Sequence, residues 1–185
     1  MYVGHFAAGL ALKAAQPRAP LSALLIGIGL ADSLFGLLVV LGIEQVSITP
    51  QVSPGFSLDF IDWSHSLVSG LVLGALFALP YLRRGWAVAA VCGFSVFSHF
   101  LLDFPFHPGD LALLPHSETH FGLGWWVSIP VGWWFIELAF VFAGWALYAW
   151  RGRQLGTFAH RPWATLLVLL VLQLAFSPWA QKLLL

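Results

Sequence analysis

The sequence predicts an all-α fold: a polytopic helical membrane bundle of about five transmembrane helices preceded by an N-terminal half-helix. Three observations predict it. Of the 185 residues, 59% are hydrophobic and only 9% charged. Soluble domains run near a quarter charged, so this chain has too few polar groups to cover itself in water. Apolar stretches of about 20 residues, enough to cross a hydrocarbon core, recur along the chain. The loops between them divide sharply by charge.

Leu21–Gly42 is the first expected span, His65–Leu82 the second and slightly short, and Trp86–Phe104 the third. Trp126–Trp150 and Trp163–Leu183 complete the set. Tyr2–Ala15 is too short to cross and reads as a half-helix or a surface helix. Its first basic residue, Lys13, follows the apolar stretch, which does not fit a signal peptide, so the segment is expected to stay in the mature protein. The length suits one integral membrane domain over residues 1–185.

Lys13 and Arg18 precede the first span, Arg83 and Arg84 join the second and third, and Arg151, Arg153 and Arg161 join the fourth and fifth. The opposite loops, Ile43–Ser64 and Pro105–Trp125, hold Glu44, Asp59, Asp62, Asp110 and Glu118 with no Lys or Arg. The positive-inside rule therefore puts the basic turns in the cytoplasm and the two long loops outside. Lys182 alone lies on the other side. Interfacial tryptophans agree: Trp63, Trp125 and Trp126 outside, Trp86, Trp150 and Trp163 inside. The localisation implied is a bacterial inner membrane. A formal net charge of +0 gives no reason to expect a nucleic-acid partner, and the lone Cys92 excludes an intrachain disulfide.

Ionisable side chains inside spans cost several kcal/mol unless paired or wetted. This chain has Asp32, His65, His99, Asp103 and Glu137 in or at the ends of its spans, and His5 in the half-helix. Counted from the basic turns, His5, Asp32, His99 and Glu137 each lie about 13–14 residues away, roughly 20 Å at 1.5 Å per residue. His65 and Asp103 lie about one turn further out. Independent placement would scatter six such residues; a shared level suggests that they meet. His99 and Asp103 are four residues apart and so point from one helix face, a spacing that carboxylate bundles use to hold metals. Ser95 and Ser98 on that helix, and Ser64 and Ser66 around His65, are candidates to fix imidazole tautomers.

Imidazoles mixed with carboxylates suit Zn²⁺, Mn²⁺ or Fe²⁺ and not Ca²⁺, which takes oxygen ligands. Singly, Asp32 and Glu137 would more often be protonated acids in interhelical hydrogen bonds, and His99 with Asp103 a structural ion pair; their common depth tips the balance to a metal. His107, His116, Glu118 and His120 sit in the second outer loop, where such groups are most often solvated, and His160 reads as a cytoplasmic surface group. Gly70 and Gly74 read as helix packing, Trp133 and Trp134 as large packing residues, and Gln173 as a structural polar group. No P-loop, dinucleotide glycine pattern, nucleophile elbow or H-E-x-x-H is present.

Taken in order, Gly4-His5, Ala31-Asp32-Ser33, Trp63-Ser64-His65-Ser66 and Ser98-His99-Phe100-Leu101-Leu102-Asp103 resemble the YdjM-like family of predicted membrane-bound metal-dependent hydrolases over about the first 105 residues. A more distant likeness is to the zinc-dependent phospholipase C and single-strand nuclease superfamily. Its His, Asp, His, His-x-x-x-Asp order maps onto His5, Asp32, His65, His99 and Asp103. These resemblances imply a membrane hydrolase with those five residues as ligands to a divalent metal, zinc first, and Glu137 as general base or as ligand to a second ion. The substrate expected is lipid-linked or amphipathic, a phosphoester first and an amide second, reached from the outer face. The competing classes are a proton or metal-ion transporter built on the same acids and imidazoles, a haem protein with axial histidines, and a scaffold.

Overall fold

The computed structural model describes residues 2–49, 55–156 and 162–180. Eight helices and two small hairpins follow one another along them. Helix α1 is Val3–Ala15. The first expected span is two helices, α2 Leu21–Ile28 and α3 Leu30–Val40, bent by 44° at Gly29. Helix α4, Leu67–Ala78, runs on through a 3-10 segment, Leu79–Arg84. Helix α5 is Trp86–Asp103, α6 is the short Trp125–Ser128, α7 is Gly132–Leu155 and α8 is Pro162–Ala175.

Three helices are long and apolar enough to cross a membrane: α4 with its 3-10 extension, α5 and α7. The bent α2–α3 pair makes a fourth if taken as one span. The expected fifth span, Trp163–Leu183, is continuous helix only to Ala175, about 21 Å long at 1.5 Å per residue. A turn follows at Phe176 and Ser177, and residues 181–185, with Lys182, lie outside the described residues. So do Arg161 and His160.

The N-terminal segment is not a surface helix. Helix α1 lies inside the bundle, with Val3, Ala7 and Leu10 packed against Val141, Tyr148 and Leu169. A Cβ at Gly144 would run into the Ala7 carbonyl. The α1–α7 contact is thus backbone to backbone, a close approach of the kind small residues give membrane helices. Gly74 and Gly93 do the same for α4 and α5: a Cβ on Gly74 would sit 2.8 Å from the Gly93 carbonyl oxygen. Gly70 and Gly74 are buried as the small-residue spacing predicts. Gln173 is structural as expected: its Nε2 donates to the Trp134 carbonyl, and Trp134 Nε1 donates to the Gln173 carbonyl, joining α7 to α8.

The two long loops, expected outside, are built rather than free. The first folds into a hairpin of β1 Gln45–Ile48 and β2 Phe56–Phe60, antiparallel with Val46 opposite Leu58. The second holds β3 Leu111–Ala112 against β4 His120–Phe121 and is strapped to the start of α4 by Val68 N–H donating to the Leu113 carbonyl. Gly122, at φ +146°, lets the returning strand cross the His107–Gly109 backbone where any Cβ would collide. Trp126, expected at the outer interface, is buried with Phe106, Trp133 and Trp134 beneath these loops. Trp63, Trp86, Trp150 and Trp163 are exposed.

Candidate metal centre

The break at Gly29 shapes the site. The last carbonyls of a helix have no partner within it, and the Ile28 carbonyl at the end of α2 accepts a hydrogen bond from His99 Nδ1 at 2.7 Å. His99 sits in the middle of the bundle, 1% exposed, because α5 packs against α1, α2 and α4. With Nδ1 carrying the proton, its Nε2 is a lone pair. That nitrogen lies 3.0 Å from Asp103 Oδ2, 3.6 Å from Asp32 Oδ1 and 3.3 Å from His65 Nε2.

His65 is held by a second device. It precedes α4, whose N-cap is Ser66, the acceptor of the Ser69 N–H. The Ser64 hydroxyl lies 2.7 Å from His65 Nδ1 and donates to Glu44 Oε2 at 2.7 Å, while the Ser64 N–H donates to Glu44 Oε1 at 2.8 Å. Glu44 is 1% exposed and stands at the foot of the β1–β2 hairpin. A hydroxyl that gives its proton to a carboxylate accepts from the imidazole, so Nδ1–H is fixed and Nε2 is again the free lone pair. It lies 3.6 Å from Asp32 Oδ1 and 3.9 Å from Asp103 Oδ2.

His107 is the member that sequence reasoning left in solvent, and the structure corrects it. The chain keeps turning past Asp103, with the His107 N–H donating to the Asp103 carbonyl, so His107 stays one turn above Asp103 on the same face. It is 2% exposed and packed on Trp126. Its Nδ1 lies 2.8 Å from Asp110 Oδ1 and its Nε2 3.5 Å from Asp103 Oδ2. Burial disfavours its charged form, but the Asp103 and Asp110 carboxylates outweigh that and hold its pKa up at about 9. His116, Glu118 and His120 are exposed, as expected. His120 Nε2 meets Asp62 Oδ1 at 3.2 Å and the His116 N–H donates to Asp62 Oδ2, which ties the second loop to the first.

His5 joins from α1. Its ring stacks on that of His99 at 4.0 Å, and its Nε2 is 3.3 Å from Asp103 Oδ1. The ligand atoms of His5, His99 and Asp103 all lie within 4.8 Å of one another, as do those of Asp32, His65 and His99. All five expected ligands therefore gather around His99, in two groups that share it. Glu137 does not enter either group. It is buried, and its Oε1 accepts the Gly4 N–H at 3.0 Å, which satisfies an unpaired donor at the start of α1 and so anchors the helix that carries His5. Ser95 and Ser98, expected to orient imidazoles, bond back to their own helix at the Cys92 and Ser95 carbonyls.

The donor set fits a cation. Imidazole lone pairs facing carboxylate oxygens at 3.0–3.6 Å are acceptors aimed at acceptors, an arrangement that needs a proton or a metal between them. Asp32 is the open side, its side chain 46% exposed. It borders a cleft of about 40 Å³, lined also by Tyr2, Phe35, Phe56, Leu58 and Trp126, with room for a water or more.

The Glu44 relay yields a prediction. In Glu44→Gln an amide N–H replaces one acceptor, the Ser64 hydroxyl turns its own proton to His65 Nδ1, and the imidazole proton moves to Nε2, where it blocks ligation. Zinc affinity should fall by about 10- to 100-fold, the usual consequence of losing an outer partner of a metal ligand. Competition with a chelator measures it. Asp59→Asn, on the same hairpin but exposed and paired to Ser47, should leave affinity unchanged.

No family model matches this chain, and no curated protein or solved structure is similar enough to it to count as a match.

Proposed function

We propose that this protein is a membrane-embedded, divalent-metal-dependent hydrolase of the YdjM-like kind, acting at the outer face of a bacterial inner membrane on a lipid-linked or amphipathic phosphoester. Residues from α8 onward would complete a fifth crossing. One observation carries the reading: His65 and His99 each have Nδ1 tied to an oxygen and Nε2 turned toward Asp103, with Asp32 closing the open side. That is the outer support metal ligands have and a plain ion pair does not require.

Asp32, His65, His99 and Asp103 would hold the ion, zinc first and Mn²⁺ or Fe²⁺ as alternatives, with His5 and His107 on either side. A bound divalent ion supplies charge to polarise a scissile bond and lowers the pKa of its water towards about 7. The side chains do the rest. Two carboxylates balance a divalent charge at bilayer depth, where it would otherwise be costly. Asp32 faces the cleft, so water and substrate approach on its side. Phe35, Phe56 and Leu58 offer that substrate apolar walls and thin out bulk water.

Purified protein should release product from a water-soluble nitrophenyl phosphodiester or from diacyl phospholipid vesicles. Release should stop with chelator and in Asp32→Asn. Metal-loaded protein that turns over neither these nor an acyl amide overturns the hydrolase.

The 44° break beside Asp32 favours one other reading, since transporters coordinate ions where helices are interrupted. Zinc or proton flux into liposomes, lost in Asp32→Asn, would decide for transport; hydrolysis without flux decides against it.

A further inference from the structure

A groove of about 550 Å³ runs between α3 and α4, apart from the polar cleft. Leu34, Leu38, Ile43, Val72 and Leu73 form its walls, and Trp63 stands at its outer end. Its one side-chain hydroxyl, Ser69, is engaged by Ser66. We propose that this groove seats one acyl chain of an outer-leaflet lipid and brings that lipid's polar end toward His65. The proposal rests on the hydrolase reading for the role of that polar end, but not for the seat itself.

Three features select the occupant. The first is where the groove opens. Only 6% of the α4 span is buried inside the bundle, so its outer faces meet hydrocarbon rather than water. Trp63, 43% exposed, marks the level where headgroups begin. The groove therefore descends from the interface into the outer leaflet, along the direction a lipid chain already takes.

The second is its chemistry. The walls offer an entering molecule almost nothing to hydrogen-bond. An extended peptide would leave its amides unsatisfied there, which costs several kcal/mol per group in lipid. A hydrocarbon chain has no such groups.

The third is continuity with the metal centre. Leu73 is shared between the groove and a small hollow lined by His65, His99, Gly70 and Val96. Trp63 lies two residues before His65, while Leu34 and Asp32, two residues apart on α3, point to different faces of that helix. A chain lying in the groove thus ends its polar part on the His65 side of the centre.

The test uses the full protein in nanodiscs containing a phospholipid with a diazirine in its acyl chain. After irradiation, adducts mapped by mass spectrometry should concentrate on residues 34–43 and 68–73. Val72→Trp, a lipid-exposed position where folding is safe, should cut that labelling by about tenfold, an effect on the scale of overpacking a filled site. Leu147→Trp, equally exposed on α7, should change nothing. Even labelling of α4 and α7, or labelling untouched by Val72→Trp, overturns the proposal. So does a dimer in native mass spectrometry with no lipid adduct. Metal content of the same sample separates the two ideas: a labelled groove in protein that binds no metal keeps the seat and removes the hydrolase, while bound metal with even labelling does the reverse.

Discussion

Asparagine at position 103 should give a folded protein that has lost its metal and its turnover. Asp103 is the hub: its Oδ1 faces His5 and its Oδ2 faces His65, His99 and His107, all within 3.9 Å. At 2% exposure, little solvent is available to take its place. The substitution keeps side-chain volume, so packing survives. It removes one of two charges that balance a divalent ion and puts N–H donors where a ligand oxygen stood. An outer partner of a metal ligand is worth about 10- to 100-fold in affinity, and the ligand itself should exceed the upper figure. His99→Ala should behave alike, with a cavity added. Metal analysis, zinc titration and circular dichroism on the same preparations check this. Full metal content in either variant removes Asp103 and His99 from the ligand set.

Valine at position 144 should have the second largest effect. Gly144 has no room for a Cβ against the Ala7 carbonyl, so α1 must move off α7. Overpacking of this kind costs about 1–3 kcal/mol. The displacement also strains the Gly4 N–H bond to Glu137 and draws His5 away from Asp103. The expected result is a lower melting temperature in detergent together with weaker metal binding. Gly74→Val offers a comparison, because it forces apart α4 and α5 at the Gly93 carbonyl, a contact that carries no His5. If Gly144→Val melts early but binds metal as tightly as the parent, His5 is not a ligand.

The convergence of His5, Asp32, His65, His99 and Asp103 was readable from spacing because a membrane helix is nearly a straight rod with a fixed rise, so residue counts become depth. Depth says nothing about rotation. Glu137 shares the level of the others, yet its carboxylate goes to the Gly4 N–H, and no count along α7 distinguishes those two outcomes. His107 was lost to the opposite error. Positions 99, 103 and 107 keep a four-residue stripe, but Pro105 signals the end of a helix. The chain passes the proline by turning tightly on Asp103, so the stripe continues past the helix.

The remaining differences come from contacts that no local pattern encodes. Glu44 looked like one more acid in an outer loop, and only the hairpin brings it to Ser64. The bend at Gly29 lies in a mostly apolar run, where glycine alone predicts close packing as readily as a break. Helix α1 is too short to span and reads from sequence as a half-helix or a surface helix; the glycine opposite it on α7 decides between them by letting it enter the bundle.

Whether these side chains hold a cation at all is read by elemental analysis of detergent-purified protein dialysed against metal-free buffer. At least one zinc, manganese or iron per chain should survive dialysis and be absent from Asp103→Asn. Protein that carries none, and takes up none when offered micromolar zinc, contradicts the metal centre.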